Sequence, residues 1–304
     1  MALDEQCAFM GGENLIEPSL IAQIILNGLM GASIYILIGL GLILLLSIAN
    51  IMQLAHGEVY MLGAYTTYYL SVVLGLPYLL ALILSVLIWG GLGILIEKAF
   101  FKPFRQREFF PSVVMAAGLM VLLNTTGMVA FGGSTKVVTT PFPGVMKIAG
   151  AVVSLERLIV IVISIVFVGA LLLMLHRTKL GQAMIAVSQE MQGAALMGIS
   201  ADRVASTAMF IGCALAALAG GMMGAIFSLT PSMGGPVLMK GIAVMILGGF
   251  GSILGAVVGG IILGFVDSIV PILASVEMAS MTGFILIILI LIFRPQGLMG
   301  RPSP

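Results

Sequence analysis

The sequence predicts an all-α, polytopic integral membrane protein of eight or nine transmembrane helices, with glycine-rich broken or re-entrant segments. Three observations carry this expectation. Of 304 residues, 61% are hydrophobic and 8% charged, against about 25% charged in an ordinary soluble domain, and the mean hydropathy is +1.23. Apolar stretches close to the roughly 20 residues that cross a hydrocarbon core of about 30 Å recur from Leu20 to Phe293. The 39 glycines let membrane helices approach closely and tolerate interruptions.

Taken in order, Leu20–Ser47 is apolar throughout. As a helix it is about 42 Å long at 1.5 Å per residue. That exceeds the core thickness, so it is either tilted or broken near Gly39–Gly41. Val59–Leu74, Tyr78–Ile96 and Val113–Phe131 follow, then Leu158–Leu175 after a polar stretch. The last third gives Ser206–Phe227, Gly241–Leu254, Gly255–Val270 and Ala279–Phe293. Gly241–Leu254 is short and glycine-rich, and reads as a half-helix or a re-entrant segment.

Lys and Arg set the orientation, because basic residues collect on the cytoplasmic side. The clusters are Lys98, Lys102, Arg105 and Arg107; Arg177, Lys179 and Arg203, near His176; and Arg294 with Arg301. The N-terminus then faces outside, with Asp4, Glu5, Glu13 and Glu17 and no basic residue in the first 18. So does the Gly132–Arg157 loop, although Lys136, Lys147 and Arg157 lie in it; the lone Lys240 falls on the same side. Nine crossings keep all three clusters inside, and eight move one end across. The expected organisation is one transmembrane domain over 1–304. It has an acidic extracytoplasmic segment at 1–19, a cytoplasmic loop at 176–205 and a cytoplasmic tail at 294–304. The longest stretches between spans, about 30 residues, are too short for an independent core.

Several classes fall away. A net charge of +1 suggests no nucleic-acid partner. Cys7 and Cys213 are too few for a disulfide framework or a metal cluster. The acidic start is the reverse of a signal peptide's basic one. No GxxxxGK[ST] loop is present, since Gly132-Gly133-Ser134-Thr135-Lys136 lacks the spacing; HExxH, GxSxG and CxxC are also missing. The chain therefore has no recognisable catalytic or ATP-hydrolysing constellation, and no cofactor is expected on it. The 22 methionines read as flexible core packing.

Three stretches stand out. In Asn50-Ile-Met-Gln-Leu-Ala-His56-Gly57-Glu58, polar groups are dense at a membrane edge, where they are costly unless partnered. Asn50, Gln53, His56 and Glu58 either line a path at a helix break or brace it. In the bracing version Glu58 caps the next helix against its positive end, and His56 donates to a backbone carbonyl. In Gly181–Val204, Ala183, Ala186, Ala194, Ala195 and Leu196 form a small apolar stripe, Glu190 and Asp202 stay wet, and Gly198 sits where a short helix ends. Such a helix either docks in a groove of a soluble partner or lies on the membrane. Gly248–Gly260 places Gly248, Gly249, Gly251 and Gly255 where a helix breaks. The outcome is either half-helix ends at a site or a tight helix crossing. Asp267 in the eighth span, and Asn124, Thr125 and Thr126 in the fourth, are the remaining intramembrane polar groups. Asp267 is either functional or a satisfied interhelical acceptor.

In this order, the stretches resemble the permease subunits of branched-chain amino acid ABC transporters. The likeness begins at Asn27-Gly28-Leu29 and Gly39-Leu40-Gly41. It continues through Ala55-His56-Gly57-Glu58-Val59-Tyr60-Met61-Leu62-Gly63-Ala64-Tyr65. Ala194-Ala195-Leu196-Met197-Gly198-Ile199 with Asp202-Arg203-Val204 resembles the family's ATPase-coupling loop. Gly248 to Ala256 resembles its Gly-Gly-x-Gly-Ser-x-x-Gly-Ala block, and Pro295–Pro302 its tail. The likeness spans about residues 25–302, and the Ala-His-Gly-Glu block with a short tail resembles the smaller of the two paired permeases. Three features depart from the pattern: Gln53 and Leu54 stand where Asn-Phe is usual, Gln182 and Ile185 where basic residues are usual, and the acidic N-terminus is an addition.

The resemblance implies half of a translocation pathway in a bacterial inner membrane, paired with a second permease. Two cytoplasmic ATPases would carry ATP and Mg, and an extracytoplasmic binding protein would deliver leucine or a related amino acid. ATP-driven closure would push a Ser188–Asp202 helix and shift the bundle between outward-open and inward-open states. The coupling residues so implied are Glu190, Ala194, Ala195, Leu196, Gly198 and Asp202. Those for the path or its bracing are Asn50, Gln53, His56, Glu58, Asn124 and Asp267. The alternative is an ion-coupled secondary transporter of a small polar solute, with Glu58 or Asp267 as its proton or sodium site.

Overall fold

The computed structural model describes residues 18–104, 109–138, 142–148, 150–273 and 275–300. The acidic N-terminal segment, Cys7, Arg105, Arg107, Arg301 and Pro302 lie outside them.

The chain is a multi-pass α-helical membrane protein. Among the described residues, six helices are long and apolar enough to cross a bilayer, and two shorter apolar ones accompany them. Helix α1 is Pro18–Ala49, continuous through Gly39 and Gly41. The expected alternative of a break there is excluded: both glycines are packed, Gly39 against Val244 and Gly41 against the His56 ring, so their missing side chains serve close packing. α1 ends at Asn50, whose φ of 54° is a left-handed conformation that Asn tolerates. A buried loop then leads to α2, His56–Tyr68, which runs on as a π-helical turn to Val73.

α3 is Tyr78–Ile96, extended by a π turn and a 3₁₀ turn to Phe104. α4 is Phe109–Phe131. A two-stranded antiparallel hairpin, β1 Val145–Ile148 and β2 Ala151–Ser154, and an isolated bridge between Lys136 and Leu229 are departures from all-α. α5 is Leu155–Arg177, followed by two short helices, α6 Lys179–Gln189 and α7 Met191–Leu196. α8 is Ala201–Ile226. The two segments expected at Gly241–Leu254 and Gly255–Val270 are instead α9, Gly234–Gly248, and α10, Ile253–Leu273. The turn falls earlier because Gly249 (φ 97°) and Gly251 (φ 82°) adopt left-handed conformations that glycine accepts without cost to a Cβ. α11 is Val276–Phe293.

α1 packs on α8, α9 and α10, and α8 also carries α2 and α3. Small residues make this centre close. A Cβ on Gly220 of α8 would lie 1.9 Å from the Tyr60 carbonyl oxygen of α2, and one on Gly264 of α10 would lie 2.3 Å from the Ala32 nitrogen of α1. α4, α5 and α11 lie outside it and expose Val121, Val129, Ile165, Leu173, Ile288 and Ile292.

The basic residues separate by end. The Lys102–Asp202 ion pair (3.0 Å) ties the end of α3 to the start of α8. A small pocket brings together the end of α1, the end of α5, α6 and the α9–α10 turn. The tail closes on this same end, where the Leu298 and Met299 N–H groups donate to Leu247 and Gly248 carbonyls. Lys102, Arg177, Lys179, Arg203 and Arg294 therefore share one end, and Lys136, Lys147 and Arg157 belong to the other.

Candidate functional site

Two regions have the geometry of a site: a ledge at the basic end and a cavity toward the opposite end. The ledge is built from α6 and α7. The single Ser188–Asp202 helix expected there is absent, because Glu190 is extended (φ −152°, ψ 101°) and divides the segment. Ala194 is buried, and Ala183 and Ala186 pack on the core. Ala195 faces outward, so the small apolar stripe splits between two faces. Leu196 and Met197 stand out at 89% and 83% exposure. α7 ends at Gly198 (φ 82°). Its N–H donates to the Ala195 carbonyl, and the Ile199 N–H donates back to Ala194 (3.0 Å each), the wrapped ending that a left-handed glycine permits. Glu190 is exposed. Asp202 is half-exposed in its ion pair with Lys102.

The cavity, of about 550 Å³, lies between α1, α8, α9 and α10. Its floor is an ionic node. Lys240 donates to both Asp267 oxygens (2.7 and 2.9 Å). The Tyr35 hydroxyl donates to Oδ2 (2.7 Å) and the Thr282 hydroxyl to Oδ1 (2.7 Å). Four helices thus converge on one carboxylate, and Asp267 is a satisfied acceptor. Lys240, expected as a lone basic residue on the outer side, is instead inside α9, because Asp267 supplies the countercharge that burial of an ammonium requires. Near the mouth, Arg157 Nη1 donates to Asn27 Oδ1 (2.6 Å).

The remaining predicted path residues do not gather in that cavity. Gln53 and His56 are buried deep in the bundle at 1% and 0% exposure. Gln53 Nε2 lies 4.0 Å from the Cys213 sulfur. His56 does not donate to a backbone carbonyl as expected: among the described residues neither ring nitrogen has a partner, and Gln53 Oε1 has none. The imidazole packs closely against Gly41, where a side chain would strike the ring. Glu58 lies in the first turn of α2, yet no side chain caps that turn. Its carboxylate instead accepts from Asn124 Nδ2 (3.1 Å), which also reaches the Pro231 carbonyl (3.4 Å). Asn50 is exposed at the end of α1. Gly248 and Gly255 meet backbone to backbone, beside the turn at Gly249 and Gly251.

Sequence reasoning missed Asn27, Tyr35 and Arg157 in the cavity and Met197 on the ledge. Lys240 carried a readable signal, since an intramembrane lysine is a functional candidate by default. Arg157 and Asn27 did not, being 130 residues apart.

Residues 24–293 match the family described as "Branched-chain amino acid transport system / permease component". The high-affinity branched-chain amino acid transport system permease protein LivH of Salmonella typhimurium is 29% identical, over 92% of this chain and 96% of LivH. The permease protein LivM of the same system and organism is 26% identical, over 89% of this chain but 69% of LivM. The chain thus matches the smaller, LivH type over nearly its whole length. Among solved structures, PsaBC from Streptococcus pneumoniae in complex with Fab aligns with a TM-score of 0.51 at 12% identity, covering 97% of each chain; the two share a fold.

Proposed function

The chain belongs to the family of permease components of branched-chain amino acid transport systems, and from that premise we propose that it forms half of the pathway of an ATP-driven importer for leucine, isoleucine, valine or a related amino acid. A LivM-type permease supplies the other half. Two cytoplasmic ATPases carry the ATP and Mg, and an extracytoplasmic binding protein delivers the solute. The membrane is the bacterial inner membrane. Nine crossings, the six long helices with the shorter α2, α9 and α11, put the N-terminus outside and the basic end with the tail in the cytoplasm.

The observation that carries this reading is the ledge. Leu196 and Met197 are exposed between two charged flanks, Glu190 and Asp202, on the end where basic residues collect. Two apolar side chains held out on a short helix fit a groove in a soluble partner. The ion-gradient alternative loses ground on geometry. Asp267 is committed to Lys240, Tyr35 and Thr282, so it is not poised to take up a cation, and Glu58 is held by the Asn124 amide.

Gly198→Val tests the coupling role. Nothing lies within 4 Å of a Cβ there, so the bundle has room for valine, while the left-handed backbone resists it. Leucine uptake and co-purification of the ATPases should fall at least tenfold, with unchanged amounts of chain in the membrane. Normal uptake by that variant would remove the ledge from the mechanism.

A further inference from the structure

We propose that the cavity between α1, α8, α9 and α10 is a binding site for a small solute bearing a carboxylate and an apolar side chain, gripped by the Arg157 guanidinium that Asn27 orients. This deepens the transport reading and rests on it for the choice of probe.

Charge gives the first argument. Lys240 and Asp267 cancel within the floor, which leaves Arg157 as the net charge of the lining among the described residues. Its partner is a neutral amide oxygen. A guanidinium offers five N–H donors in a planar fork that matches a carboxylate, and one is spent on Asn27. The floor cannot serve as the anion site, because every strong donor there already points at Asp267. A carboxylate therefore binds at the mouth, and the floor supplies a neutral polar base.

Shape gives the second. Met30, Ile34, Met223, Phe227 and Val237 form the wall, and a branched aliphatic side chain loses water against them. The volume of about 550 Å³ suits a small solute with some water, within the roughly 300–1,000 Å³ of ligand sites. The elements add a third argument. Asn27 and Tyr35 are on α1, Arg157 on α5, Lys240 on α9 and Asp267 on α10, so a shift of any one of these four helices would change the cavity. A site of that kind changes affinity between states, which transport requires.

Arg157 would equally attract the phosphate of an anionic lipid, and the test separates the two. Ile272, on the cavity lining and 49% exposed, is replaced in Ile272→Cys, with Cys7→Ala; Cys213 is fully buried. The full-length chain is placed with its transport partners in phosphatidylcholine nanodiscs, and the rate of thiol labelling is measured with L-leucine or leucinamide. Leucine should slow labelling at least fivefold and leucinamide should not. Arg157→Gln should abolish protection while keeping the unprotected rate, and Arg157→Lys should retain part of it. Equal protection by leucine and leucinamide, or none, overturns the site. So does protection by added phosphatidylglycerol in place of leucine, which identifies a lipid site. Leucine uptake is followed in parallel. Uptake without protection removes this site alone, whereas protection without uptake keeps the site and removes the transport reading.

Discussion

α8 and α5 are both long apolar helices, and the more hydrophobic of the two is the more exposed. α8 reads Ala-Leu-Ala-Ala-Leu-Ala-Gly-Gly through its middle and is buried almost all round. α5 reads Ile-Val-Ile-Val-Ile and buries five residues, two of them polar. In a bilayer the solvent is itself apolar, so large aliphatic side chains do not mark the protein interior. Small ones do, because packing and backbone approach drive helix association there. The centre of this molecule is a glycine and alanine seam, and its flank is a surface for lipid or a partner permease.

The sharpest way to break that contrast is one substitution made in both helices. Gly220→Val in α8 drives a side chain into the Tyr60 carbonyl. Backbone is on both sides, so nothing yields cheaply, and the cost should reach about 3 kcal/mol or more. Gly169→Val in α5 meets nothing within 4 Å and should change stability by about 0.5 kcal/mol or less. Thermal unfolding followed by size-exclusion chromatography in detergent checks both. Equal losses would show that α5 is as tightly packed as α8.

The next effect concerns the polar exception in the centre. Asp267→Asn takes away the carboxylate that Lys240, at 15% exposure, holds at 2.7 Å, a loss of about 3 kcal/mol. Asp267→Leu with Lys240→Met removes both charges and should recover most of it. If the double variant is no more stable than the single one, the pair is not the reason for the loss, and the Tyr35 and Thr282 hydroxyls carry the node.

These contrasts also explain what the sequence disclosed. Tyr78–Ile96 was legible to the residue because Pro77 opens the span and Glu97 follows its end. The tilt-or-break choice for α1 was not legible. A glycine that breaks a helix and one that admits Val244 look alike until the neighbour is known. The hairpin escaped because four-residue strands give too few alternations to register against the apolar background. In the site, Asp267 was found as an isolated acid inside a span, but its meaning depended on Lys240, Tyr35 and Thr282 from three other helices. His56 shows the converse. Its motif was read and a hydrogen bond expected, yet the ring is buried without one; the close approach of Gly41 and Gly212 that encloses it is a tertiary fact.

The smallest effect expected is at the ledge, where stability and function should come apart. Lys102 and Asp202 are a little over half exposed in their ion pair, so water and salt screen it, and such pairs contribute about 0–1 kcal/mol. Asp202→Asn should therefore shift unfolding by no more than about 0.5 kcal/mol, with less shift still in 0.5 M salt. If Asp202 serves the ATPase contact rather than the bundle, leucine uptake should fall severalfold in the same variant. Lys102→Met breaks the same ion pair from the other side and should leave uptake nearly intact. A matched fall for both variants would mean that the ion pair itself, by anchoring α8 to α3, sets the position of the ledge, and Asp202 would then act as a brace between helices instead of a contact for the motor.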